Sequence, residues 1–153
     1  MNINELLSNG DVLHMEVTDF QDFGEKINEF LLARNEVTEN YLSALYEREN
    51  KYPTGIMLPG RNIALPHVDA EYICTNALYI INLKKPILFR RMDDIEKEIN
   101  VSLIFLLLIK DPALQVHAIS SLTKIWQNEE LLQKISSSQN KAEVMDYIEK
   151  GVM

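Results

Sequence analysis

The sequence has a single cysteine, Cys74, so no internal disulfide can form. Glycine and proline are scarce, five of each in 153 residues, which excludes a collagen-like or low-complexity chain. No apolar run reaches the ~18 residues that a membrane-spanning helix needs. The longest, Val101 to Ile109, carries Ser102, stops at Lys110-Asp111 and suits a buried strand. The opening Met-Asn-Ile-Asn-Glu lacks the basic region and apolar stretch of a signal peptide. A reducing cytoplasm and no membrane insertion are therefore expected. Basic residues are outnumbered, 15 against 23 acidic, for a formal net charge of −8. A nucleic-acid binder usually presents a basic face, so no nucleic-acid partner is expected.

Several chemical motifs are missing as well. There is no Gly-x-x-x-x-Gly-Lys-Ser/Thr loop and no Gly-x-Gly-x-x-Gly, which removes support for nucleotide binding of those kinds. There is no Cys-x-x-Cys and no His-x-x-x-His, and the three histidines lie far apart in sequence, so neither a metal site nor a cofactor is expected. A Ser/His/Asp triad has no Gly-x-Ser-x-Gly elbow to support it.

What is present is enough for one substantial core, with 46% hydrophobic residues and no linker-like stretch, so one domain over 1–153 is expected. Asp11 to Val17 has a period near two and predicts a first strand. Phe20, Phe23, Ile27, Phe30 and Leu31 fall at helical spacing, predicting a helix over 20–34 despite Gly24. Thr38 to Asn50 reads as a second helix, ended by Tyr52-Pro53-Thr54-Gly55. A punctuated stretch runs on to Gly60. Asn62 to Leu65 is a short strand leading into Pro66-His67. Asn76 to Leu83 is another, which Pro86 to Phe89 would extend after a break at Lys84-Lys85. Ile99 to Ile109 is the candidate central strand. Asp111 suits an N-cap and Pro112 the first position of a helix running to about Asn128. Glu129 to Ser136 and Lys141 to Glu149 read as closing helices. Interleaved helices and strands make the class α/β, with helices packed on a mixed central sheet.

His67 is the chemical candidate. Proline fixes its own φ and restricts the residue before it, so Leu65-Pro66 stiffens the strand end that carries this imidazole. An ordinary surface or hydrogen-bonded histidine is the plainer reading of the local context. His14, between Leu13 and Met15, reads as structural or surface. Cys74 and Trp126 read as core or partly buried. Asp93-Asp94-Ile95-Glu96 reads as a solvated loop.

Arg48-Glu49, Thr54-Gly55 and Asn62-Ile63-Ala64-Leu65-Pro66-His67, in that order, resemble the signature of the fructose/mannitol-type enzyme IIA of the bacterial phosphoenolpyruvate-dependent sugar phosphotransferase system. Lys85-Pro86-Ile87 before Phe89, the Val101–Ile109 strand and the Leu114–Trp126 helix resemble its later segments. Tyr52-Pro-Thr-Gly-Ile56, Pro66-His-Val-Asp69 and Phe89-Arg-Arg-Met-Asp-Asp94 are most similar to the galactitol-type branch.

The resemblance implies that His67 accepts a phosphoryl group from the phosphocarrier protein HPr and passes it to a cysteine of a sugar-specific enzyme IIB, which serves a membrane enzyme IIC. Arg48 takes the position of the family's active-site arginine. A guanidinium offers several donors to phosphoryl oxygens and stays charged, although a cation at a helix C-terminus also favours the macrodipole. Thr54 is a candidate support for the phosphoryl group. Arg61 would add positive potential, or is a solvated loop arginine. The mannitol-type pattern has a second histidine on the helix after the central strand. The register Gln115, Val116, Ile119, Leu122 puts Gln115, and not His117, at that position. Two helical residues are ~200° apart, so His117 faces elsewhere, with Ser121 and Lys124. An amide can hydrogen-bond a phosphoryl oxygen but supplies no charge. The alternatives are a regulatory nitrogen-type enzyme IIA module, signalling through its phosphorylation state, and an α/β binding domain without phosphotransfer.

Overall fold

The computed structural model describes residues 1–151; the last two residues of the 1–153 span lie outside the described residues. The chain opens with a helix, α1 (Ile3–Asn9), set by a capping box in which the Asn2 side chain accepts from the Glu5 N–H and the Glu5 carboxylate accepts from the Asn2 N–H. Strand β1 (Asp11–Met15), α2 (Phe20–Ala33) and α3 (Tyr41–Lys51) follow. Next come β2 (Gly55–Leu58), β3 (Arg61–Ala64), a short 3-10 turn at Ala70–Tyr72, β4 (Ala77–Arg90) and β5 (Glu98–Leu108). Three helices close the chain: α4 (Pro112–Trp126), α5 (Glu129–Ser136) and α6 (Lys141–Gly151). Asp111 caps α4 by accepting from the Ala113 N–H, with Pro112 in the first turn.

The five strands form one mixed sheet in the order β1-β4-β5-β3-β2. β1 runs parallel to β4 and β3 parallel to β5, whereas β4–β5 and β2–β3 are antiparallel. β5, the most apolar stretch, is the middle strand, as its composition predicts. Both faces of the sheet are covered. On one, Leu103, Phe105 and Leu107 of β5 pack with Leu6, Leu122, Trp126, Ile135 and Val144 from α1, α4, α5 and α6. On the other, Ile104, Leu106 and Leu108 pack with Phe23, Ile27, Leu31, Tyr41 and Leu45 from α2 and α3. Alternate side chains of one strand thus feed two cores. Burial of each such aliphatic side chain contributes about 1.5–3 kcal/mol.

One element was not read from the sequence, and three local expectations change. α1 has only seven residues and too little periodicity to be read; its capping box is its mark. β4 is continuous across Lys84-Lys85-Pro86, and a register shift between Asn82 and Ile87 absorbs the irregularity. The punctuated stretch before Gly60 holds β2, which turns into β3 through Pro59-Gly60, with Gly60 at φ 82°. Cys74 is exposed rather than core, because it follows buried Ile73 in a segment whose backbone bridges to Val37. Trp126 is buried, as expected.

Candidate phosphoryl-transfer site

The site forms where two chain segments end side by side. β3 runs beside β5 with Ile63 opposite Leu103 and Ala64 opposite Ile104. Beyond it the chain stays extended, and the Leu65 N–H donates to the Thr54 carbonyl at 3.3 Å. Pro66 then delivers His67. α3 terminates nearby, its last turn carrying Arg48 and Glu49 in succession.

His67 is almost buried, 8% exposed, and both ring nitrogens have partners. Nδ1 lies 2.7 Å from the Leu65 carbonyl oxygen, and a guanidinium nitrogen of Arg48 lies 3.4 Å from Nε2. A carbonyl only accepts and a guanidinium only donates. Nδ1 therefore carries the hydrogen, and Nε2 presents its lone pair toward Arg48. Burial is the largest cause pushing the imidazole below its usual pKa; the Arg48 charge works the same way, against the Leu65 hydrogen bond and the Asp69 charge. The ring is neutral at neutral pH.

Arg48 is held on two sides. It donates to Asp69 Oδ1 at 3.1 Å, and its guanidinium carbon sits 5.2 Å from the centre of the Tyr52 ring. Asp69 is well exposed, so this ion pair contributes little to stability and is easily exchanged for another anion. A hollow of about 190 Å³ opens at this point, with Glu47, Lys51, Tyr52 and Tyr72 among its walls.

The other sequence candidates divide. Gln115 comes to the site: its amide nitrogen donates to the carbonyl of Val68, the residue after His67, at 3.1 Å. His117 is exposed, as the helical register requires. Thr54 is buried and committed elsewhere. Its N–H donates to one Glu49 carboxylate oxygen and its hydroxyl to the other, both at 2.7 Å. Both Thr54 donors are thus taken by Glu49. Arg61 is not gathered to the site. It opens β3, six extended residues or up to about 20 Å before His67, and its guanidinium donates to Gln133 Oε1 on α5. His14 is at the surface, with Nε2 3.2 Å from the Gln139 carbonyl.

Asp69, Tyr52 and Glu49 are the additions that the structure makes. Asp69 and Glu49 stood inside the quoted motifs without a role. Tyr52, which opens the quoted Tyr52–Ile56 motif, likewise had no role assigned, although it is an aromatic one helical turn after Arg48.

The chain that carries this site has known relatives. Residues 6–151 match the family described as phosphoenolpyruvate-dependent sugar phosphotransferase system, EIIA 2. The chain belongs to this family. It is 30% identical over 105 residues to the galactitol-specific EIIA component of the phosphotransferase system of Escherichia coli (strain K12), covering 69% of each chain. Two solved structures share its fold. The mannitol-specific cryptic phosphotransferase enzyme IIA CmtB from Escherichia coli superposes with a TM-score of 0.73 at 21% identity, covering 99% of this chain and 100% of that one. The enzyme IIA of the mannitol system, solved in complex with phosphorylated enzyme IIB from Escherichia coli, superposes with a TM-score of 0.69 at 18% identity, covering 91% and 94%. The protein is thus an EIIA phosphotransferase component with the mannitol-type EIIA fold. Among the described residues, no helix is long and apolar enough to cross a membrane.

Proposed function

We propose that His67 accepts a phosphoryl group from the phosphocarrier protein HPr and hands it to a cysteine of a sugar-specific enzyme IIB. One observation carries the reading: Leu65 and Arg48 between them hold a single imidazole tautomer, with a nucleophilic Nε2 beside a fixed cation. The Nε2 lone pair attacks the phosphorus of the incoming phosphohistidine. The donor's N–P bond breaks and its electron pair returns to the donor ring, while a new N–P bond forms at Nε2. Nδ1 keeps its hydrogen on the Leu65 carbonyl throughout. The phosphorylated ring then carries imidazolium character, which weakens its N–P bond and favours onward transfer. The cysteine thiolate of enzyme IIB attacks the same phosphorus, and the electron pair of that bond returns to Nε2.

Both steps exchange similar high-energy bonds, so positioning and charge stabilisation supply most of the catalysis. Arg48 is the charge. It leaves Asp69 for the phosphoryl oxygens as these arrive, and Gln115 adds an uncharged donor from α4. The hollow beside Arg48 gives both partners one landing place in turn, consistent with a fold relative that was solved bound to a phosphorylated enzyme IIB.

The sugar is galactitol or a related polyol, a reading supported by the 30% identical galactitol-specific relative. The protein works in the cytoplasm and serves a membrane enzyme IIC. The test is labelling from phosphoenolpyruvate through the general phosphotransferase proteins, followed by chase onto purified enzyme IIB proteins. Label on the wild type, its loss in His67→Ala and a preference for galactitol-type over mannitol-type enzyme IIB are expected. Full labelling of His67→Ala would reject the site, and label that passes to no enzyme IIB would favour a regulatory role.

A further inference from the structure

Glu49 is buried at the edge of the site, yet the transfer chemistry above makes no use of it. Its two carboxylate oxygens take the N–H and the hydroxyl of Thr54. The Thr54 carbonyl takes the N–H of Leu65, and the Leu65 carbonyl takes Nδ1–H of His67. Hydrogen bonds linked through the backbones of Thr54 and Leu65 therefore connect Glu49 to the reacting ring. Glu49 also directly follows Arg48 on α3. The same carboxylate thus ties the helix end that carries the cation to the strand end that carries the nucleophile.

We propose, on the reading that His67 is the phosphoryl acceptor, that Glu49 is a positioning residue that sets the tautomer of His67 and its spacing from Arg48 through Thr54 and Leu65. The alternative use of Glu49, as a ligand for the incoming group, does not fit its geometry. Both of its oxygens are engaged by Thr54, and its open side lines a separate cleft of about 450 Å³ with Phe20, Tyr46, Phe89 and Arg90. An ordinary structural carboxylate would hold the fold alone. This one holds the particular carbonyl that fixes which imidazole nitrogen is free.

Glutamine can keep both contacts, with its oxygen accepting from the Thr54 N–H and its amide donating to the Thr54 hydroxyl. Alanine loses both. The experiment compares Glu49→Ala and Glu49→Gln with the wild type by the rate of transfer from phosphorylated HPr and by the imidazole nitrogen-15 shifts of His67 in the full chain. Glu49→Ala is expected to transfer at least ~10-fold more slowly and to show a mixed tautomer, with Glu49→Gln within about twofold of wild type and retaining Nδ1–H. Should Glu49→Ala fail to fold, Thr54→Val removes the hydroxyl contact alone. It should then move both readouts in the same direction by a smaller factor, roughly threefold in rate. An unmoved rate together with an unmoved tautomer, in whichever of these variants folds, overturns the proposal. The tautomer readout needs no phosphoryl donor, so it separates this failure from the case in which the wild type takes no label on His67.

Discussion

Arg48 and His67, nineteen residues apart in sequence, meet with a guanidinium nitrogen 3.4 Å from Nε2, too long for a strong hydrogen bond and near enough for the full electrostatic effect. A cation pressed on the free nitrogen lowers the basicity of the ring while leaving its lone pair available. The same cation is in place for the phosphoryl oxygens once the lone pair is spent. The pair therefore serves the unphosphorylated and the phosphorylated state with a small movement of one side chain.

Removing that cation should cost transfer more than it costs folding. Arg48→Ala is expected to slow phosphoryl acceptance by roughly 10²-fold, comparable to loss of one fixed donor at a developing charge. Arg48→Lys should recover part of it, since an ammonium restores charge without the planar fork. Rapid-quench labelling measures both. Stability should change little, because the Asp69 pair is solvated. Equal rates for Arg48→Ala and wild type would remove Arg48 from the site.

The pH dependence of acceptance follows from the His67 environment. Its pKa lies below the ordinary 6.5, mainly through burial. The neutral, nucleophilic ring thus persists at neutral pH, and the rate should be flat above pH 6.5 and fall as pH drops through the lowered value. Between that value and 6.5 the unfolded chain binds the extra proton, so folding stability also rises with pH across the window. Arg48→Ala should move the inflection upward and Asp69→Asn downward, matching the signs of their charges. An NMR titration of the imidazole reads the pKa directly.

Much of this was legible in the chain. β5 announced itself by the apolar run Val101–Ile109, broken only by Ser102, α4 by Asp111-Pro112, and His67 by a proline at a strand end. Gln115 followed from helical register, since a displacement of two residues turns His117 to solvent. Arg48 was named from its motif, but the acceptor that holds Nδ1 of His67 was not legible. The Leu65 carbonyl belongs to the backbone, and no residue type reports where a carbonyl points. Arg61, read either as added positive potential or as a solvated arginine, is separated from His67 because six residues of extended strand span a large distance. Thr54 and Glu49 meet across the chain reversal between α3 and β2, a geometry that a one-dimensional pattern does not encode.

Gly55 of the Thr-Gly pair should prove sterically required. A Cβ there would stand 2.6 Å from the Arg90 carbonyl oxygen and 3.2 Å from the Phe89 Cβ, where β2 crosses close to the end of β4. Both obstacles are on a buried strand and neither can swing away. Gly55→Ala is expected to destabilise the fold by about 1–3 kcal/mol and, through the neighbouring Thr54, to slow transfer. Urea unfolding at constant m-value measures the first effect. A variant as stable as wild type would mean that the strands separate freely there.

Glu49 carries a second, thermodynamic signature. Burial raises its pKa from 4.5 to about 7, against its Thr54 hydrogen bonds and the charges of Arg90 and Arg48. Glu98 lines the same cleft. Between these two pKa values the folded protein holds a proton that the unfolded chain has released, so this group makes stability fall as pH rises from 4.5 to 7 and adds no slope above. The loss amounts to about 3 kcal/mol. Glutamine mimics the protonated carboxyl and cannot ionise. Glu49→Gln should therefore match wild type near pH 4.5 and exceed it at pH 8 by an amount approaching that loss. His67 contributes the opposite slope in both proteins and cancels from the difference. Urea midpoints for the pair at pH 5 and pH 8 decide it. Parallel pH profiles would mean that Glu49 stays ionised in the folded protein, balanced by Arg48 and Arg90.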